Sequence, residues 1–175
     1  MVYIACNDGH VPVIDPVTDT VLTTLTGGTQ VWPGAHDEWM NEGSPYLLSP
    51  MTGDMKVIDT GTRTNVGSIS LKGTGFVVVH EVGGNLLAFT ADNRLPLVYV
   101  IDVRAMKVLK QISIAASNGQ QQGLGEAGGD IVDHGETLYV VHALEGTLTI
   151  LDMKEQRRLG SVFIEKGVNH VVYVE

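Results

Sequence analysis

The chain has a single cysteine, Cys6, in 175 residues. One sulfur can build neither an intrachain disulfide nor a cage of thiolates around a metal. Set in the apolar run Tyr3-Ile4-Ala5-Cys6, the thiol reads as a small core residue. Cations are scarce as well. Eleven Lys and Arg against 20 Asp and Glu leave a net charge of −9, and no basic cluster breaks that balance. Such a chain repels a phosphate backbone, which argues against nucleic acid and favours a neutral or cationic partner. No apolar run is long enough to span a bilayer, and no basic n-region precedes Val2-Tyr3-Ile4. The expectation is therefore no membrane span and no signal peptide in the sequence as it stands; a signal removed earlier leaves the compartment open. No serine sits in a Gly-x-Ser-x-Gly turn, and the carboxylates come at regular intervals with no isolated pair to divide into acid and base. No nucleophile–base pair can be drawn.

What the chain does have is one stretch written four times, an apolar run ending in an acid. The copies are Val11-Pro12-Val13-Ile14-Asp15, Met55-Lys56-Val57-Ile58-Asp59, Val98-Tyr99-Val100-Ile101-Asp102 and Leu148-Thr149-Ile150-Leu151-Asp152. The aspartates lie 44, 43 and 50 residues apart. Self-similarity at that period marks a repeat protein. Aligned on the aspartate, each copy has an aromatic 12 or 13 residues upstream: Tyr3, Tyr46, Phe89 and Tyr139. Seven residues downstream come Leu22, Val66, Leu109 and Leu159, and ten downstream come Leu25, Ile69, Ile112 and Val162. Twelve downstream stand Leu71, Ile114 and Ile164, with Gly27 the exception. Small and polar residues fill the gaps. This is the alternation of half-buried strands, and no helical stripe competes with it.

Each repeat thus reads as several antiparallel strands: one with the aromatic, one ending in the aspartate, one with the downstream aliphatics. A further strand precedes the aromatic, over His36–Met40, Phe76–His80, Asp130–Asp133 and His170–Val174. The repeated carboxylate is explained by the turn it opens, where it accepts backbone N–H groups and ties two strands together. Four strands per repeat of this length is the blade of a β-propeller. The expected fold is all-β, a propeller of four-stranded antiparallel blades with four blades per chain. It forms one unit over residues 1–175, with repeats at about 1–44, 45–86, 87–137 and 138–175. The strand before the aromatic lies nearest the axis and lines the channel.

The residues Tyr3-Ile4-Ala5-Cys6-Asn7, with Val13-Ile14-Asp15 and the turn Pro16-Val17-Thr18-Asp19-Thr20-Val21, resemble the YVTN-type propeller repeat. Leu138-Tyr139-Val140-Val141 with Ile150-Leu151-Asp152 matches again, while Tyr46-Leu47-Leu48-Ser49 and Ala88-Phe89-Thr90-Ala91 match more loosely. The resemblance covers nearly the whole chain and implies a fold without an active site. Families with this repeat usually build seven or eight blades, and the resemblance implies a periplasmic or extracellular setting if a signal was removed. The sequence starts in an aromatic-type strand and ends in an axial one, so the 168–175 segment and the Met1–Asn7 strand each await a neighbour. A closed four-bladed monomer, a part of a longer propeller, and a homodimer exchanging terminal strands to give an eight-bladed ring all satisfy these edges. The two-chain ring is preferred, because one symmetry operation closes both.

The candidates for function are the residues that break the repeat. His36 and His170 share a position at the start of the axial strand, with Asp37 alongside; imidazole plus carboxylate suits a divalent first-row metal. Trp39 offers an aromatic platform at the channel mouth, next to Trp32-Pro33. Gln121 lies in the long 115–129 loop, a candidate binding loop at the same mouth. Gly123-Leu124-Gly125-Glu126-Ala127-Gly128 matches a dinucleotide fingerprint, but a strand pattern follows it where the fingerprint needs a helix. His80 and His134 fall toward the other end, and His10 and His142 read as solvated loop residues. The first functional expectation is a non-catalytic binding or scaffold protein without a cofactor, taking a protein or small-molecule ligand. The second comes from the resemblance. Similar propellers serve in quinoprotein amine dehydrogenases and haem nitrite reductases, which implies channel-rim histidines, here His36 and His170, holding a metal or haem.

Overall fold

In the computed structural model the described residues are 1–4, 6, 8–26, 37–41, 44–51, 54–73, 75–92, 95–114, 131–143, 145–168, 171, 172 and 174. They hold fifteen strands and no helix. No helix is therefore long and apolar enough to cross a membrane among them. The chain divides into two compact units, Met1–Thr74 and Gly75–Glu175.

The first unit contains two antiparallel sheets. One has three strands in the order β1 (Val2–Tyr3), β2 (His10–Asp15), β3 (Thr20–Thr26). The other has four, β4 (Asp37–Asn41), β5 (Ser44–Met51), β6 (Asp54–Asp59) and β7 (Thr64–Ser70). Val11, Val13 and Leu25 of the first sheet are buried together with Ile58 of the second. The second unit also has two sheets of four. The third sheet runs β8 (Val77–Val82), β9 (Asn85–Ala91), β10 (Leu97–Asp102), β11 (Lys107–Ser113). The fourth runs β12 (Ile131–His134), β13 (Thr137–His142), β14 (Thr147–Asp152), β15 (Arg157–Phe163). Their shared core joins Phe89, Val98, Val100, Ile112 and Ile114 to Leu138, Val140, Leu151 and Met153.

Every sheet is a meander of neighbouring strands, because each connection is a short hairpin. The turn after each repeated aspartate ends in a residue with positive φ: Asp19, Arg63, Met106 and Gln156. The aspartate holds the turn by accepting backbone N–H groups. Asp15 Oδ1 takes Val17 at 2.8 Å, Asp102 Oδ1 takes Ala105 at 2.9 Å, and Asp152 Oδ1 takes Glu155 at 2.9 Å. Asp59 Oδ1 takes both Gly61 at 2.8 Å and Thr62 at 3.0 Å. On the other side, β8 and β9 meet through Gly83-Gly84, both at positive φ, where a two-residue hairpin favours glycine.

Three expectations change. The aliphatics seven residues after each aspartate are not core. In all four sheets the register slips at that residue: Val13 faces Thr23 and Ile14 faces Val21, skipping Leu22. Val66, Leu109 and Leu159 are skipped in the same way. Each is the extra residue of a β-bulge, turned outward and 40–50% exposed. Second, the segment after β15 was expected as a strand; residues 171, 172 and 174 lie outside any strand. A strand needs a partner edge, and the edge expected for this one is of the β1 type. Third, Cys6 is only partly buried, with its thiol 3.8 Å from the Ile4 carbonyl.

Candidate functional site

His36, Gln121 and His170 lie outside the described residues, as do Trp32, Pro33 and the 115–129 loop. Asp37 and Trp39 are on β4, opposite Leu48 and Tyr46 of β5. β4 is an edge strand of its sheet, as β8 and β12 are of theirs. The hairpins align these edges. The closing pairs are Asn41 with Ser44, Val82 with Asn85, and His134 with Thr137. Counting back two residues puts Trp39, His80 and Val132 at one position of the repeat.

That position carries a polar link in the second unit. His80 Nδ1 lies 3.0 Å from Asp133 Oδ2, joining β8 to β12, with each side chain about a third exposed (30% and 32%). An imidazole so placed has one nitrogen engaged by a carboxylate, which fixes the ring and sets which nitrogen remains for a ligand. Sequence reasoning had set His80 apart from Trp39. Counted from the hairpin closures rather than from the aspartate, they hold the same position of the repeat. Among the described residues no group of three or more His, Cys, Asp or Glu side chains could hold a metal ion.

His142 departs most from expectation. Read as solvated, it is fully buried at the end of β13. Its Nδ1 lies 3.0 Å from Glu145 Oε2, whose side chain is only 10% exposed. The approach is close but not aligned as a hydrogen bond, and both ring nitrogens and both carboxylate oxygens are buried without a hydrogen-bond partner among the described residues. The loop that follows is tightly packed. Gly146, at φ +69°, is pressed against the backbone of Glu165 and Lys166, which a Cβ would meet at 2.6 Å. His10, by contrast, is exposed as expected, with its Nδ1 3.1 Å from Asp8.

One cleft lies on the fourth sheet. Val132, Tyr139 and Leu148 line it from β12, β13 and β14, and Val171 and Val172 line it from the segment beyond β15. It encloses about 220 Å³ and is almost wholly apolar, so it is built for aliphatic side chains rather than for a charged ligand.

No family model matches this sequence. No curated protein matches it either. Solved structures do. A structure of the dihydro-haem d1 dehydrogenase NirN in complex with DHE aligns with a TM-score of 0.76 at 15% identity, over 94% of this chain and 36% of that one. The hydrazine synthase of Kuenenia stuttgartiensis aligns with a TM-score of 0.67 at 16% identity, over 89% of this chain and 43% of that one. This chain thus spans less than half the length of either. At such identity the likeness shows the fold alone, and that fold is an all-β propeller type.

Proposed function

We propose that this chain is a non-catalytic binding or scaffold propeller, holding a protein or small-molecule ligand at the channel mouth through His36, Asp37, Trp39, His170 and Gln121. The observation behind this reading is where the repeat lets its chemistry vary. The β2, β6, β10 and β14 strands keep an apolar pattern, and their terminal aspartates are engaged in turns. The edge strands β4, β8 and β12 instead carry Asp37, Glu38 and Trp39, then His80 and Glu81, then Asp133 and His134. Recognition at such an edge needs no nucleophile. Native mass spectrometry of protein from its own host tests it: a retained ligand is expected, lost in His36→Ala and Trp39→Ala. Retention unchanged in both variants rejects the site.

A second reading has its own support, since one of the structural neighbours is by name a dihydro-haem d1 dehydrogenase. Here the chain is the propeller part of an oxidoreductase, quinoprotein amine dehydrogenase-like or haem nitrite reductase-like. His36 and His170 are then the candidates to hold a divalent metal or haem. A visible absorption spectrum and metal analysis separate the two readings: a chromophore or stoichiometric metal selects the second, and neither selects the first.

The assembly in both readings is a ring of eight blades from two chains. Each chain's 168–175 segment adds a fourth strand beside β1 of the other. The support is the three-stranded first sheet, in which β1 is the edge.

A further inference from the structure

The repeat buries the same face of a sheet again and again, and on the fourth sheet that face is open. In the third sheet the face is Phe89, Val98, Val100, Ile112 and Ile114, all buried against the fourth. In the second, Met55, Val57, Ile69 and Leu71 are buried. In the first, Val11, Val13 and Leu25 are buried with Ile58. The same positions in the fourth sheet are Tyr139, Leu148, Ile150, Val162 and Ile164. Tyr139, Leu148 and Ile150 are partly exposed, Val162 is 53% exposed and Ile164 is 40% exposed.

The reverse face shows the mirror case. Leu138, Val140, Leu151 and Met153 of the fourth sheet are buried, as are Ala88, Thr90, Ile101 and Val103 of the third. Their counterparts in the first sheet are Val2, Ile4, Ile14 and Pro16. Val2 is 45% exposed and Ile4 is 42% exposed. These residues of the fourth sheet's front face and of the first sheet's reverse face are thus more exposed than their counterparts in the other sheets. The apolar cleft under Val171 and Val172 opens in that same front face.

We infer that the front face of the fourth sheet docks the reverse face of the first sheet of a second copy of this chain, twice in a two-fold pair. This rests on the two-chain ring proposed above and adds which surfaces meet. A second copy is the occupant because the cover at these positions, wherever both sides are seen, is the reverse face of another sheet of the repeat. The first sheet carries that pattern in the open. The repeat also specifies a polar contact. The Tyr3 hydroxyl donates to the Thr60 carbonyl, one residue past Asp59, at 3.0 Å. Tyr139 is the counterpart of Tyr3, and Pro16 follows Asp15 as Thr60 follows Asp59. The Tyr139 hydroxyl of one copy then donates to the Pro16 carbonyl of the other.

Sedimentation equilibrium of the full chain tests this. The expected mass is twice 18.8 kDa. Val162→Asp and Ile4→Asp, one on each face, weaken association by about tenfold or more, since each buries an unpaired charge. Tyr139→Phe weakens it about fivefold, the worth of one hydrogen bond, without threatening the fold. Leu109→Asp, on an exposed bulge of the third sheet, leaves it unchanged. A wild type that stays monomeric at all concentrations overturns the two-chain ring and this docking with it. A wild-type dimer that all three interface variants leave intact, with unchanged circular dichroism, overturns the docking alone and leaves the ring standing.

Discussion

The hydroxyl of Tyr3 reaches the backbone carbonyl of Thr60 at 3.0 Å, tying the first sheet to the turn after β6 across 57 residues. Beside it, Asn65 Nδ2 donates to the Thr26 carbonyl at 3.0 Å, a second link between the same two sheets. Tyr3→Phe keeps the ring and removes the donor. It is expected to cost about 1 kcal/mol in urea unfolding, with the m-value unchanged.

The four turn aspartates are not equivalent. Asp59 is 8% exposed and accepts two backbone N–H groups, whereas Asp152 accepts one and is more open. Asp59→Ala leaves two donors without a partner in a nearly dry place and should cost about 2 kcal/mol; Asp152→Ala should cost about 1 kcal/mol. Equal losses, measured by chemical denaturation, would contradict the difference in burial.

His142 and Glu145 form a buried pair whose polar atoms find no aligned partner among the described residues. Removing one side of such a pair strands the other. Glu145→Ala is expected to destabilise by about 3 kcal/mol, while His142→Leu with Glu145→Met comes close to wild type or above it. A double variant as damaged as the single one would show that the loop needs the pair for its path.

Asp15 titrates below its ordinary value of 3.8, chiefly because the Val17 N–H bonds the ionised carboxylate. A lowered folded-state value means that its stabilising contribution is present above pH 3.8 and fades as pH falls through the folded value. Asp15→Asn should therefore differ from wild type near neutrality and converge with it in acid. A difference that fails to shrink as pH falls below 3.8 would reject that role.

Much of this architecture was legible in the chain because a repeat tests itself: an aromatic, an aspartate and an aliphatic recurring together leave little room for another period. The bulge was visible too, though misread. The aliphatics at Leu22 and Leu25 stand three apart, an odd step that no flat strand can place on one face, and the structure resolves it by pushing Leu22 outward. His142 could not be read, since a polar residue at a strand end beside a Glu-Gly turn looks solvated in the sequence, whereas it is fully buried. The candidate ligand residues were named by their departure from the repeat, and only Asp37 and Trp39 among them fall on a described strand.

The bulges carry one further consequence. β3, β7, β11 and β15 are all outer edges of their sheets, and each has one register slip with an outward aliphatic at it. An interrupted ladder is a poor template for an incoming strand. Four sheets in one acidic chain would otherwise offer four sticky rims, inviting fibres. With those rims spoiled by the same residue of every repeat, growth by strand addition is left to β1, β4, β8 and β12, the edges whose ladders run without a slip.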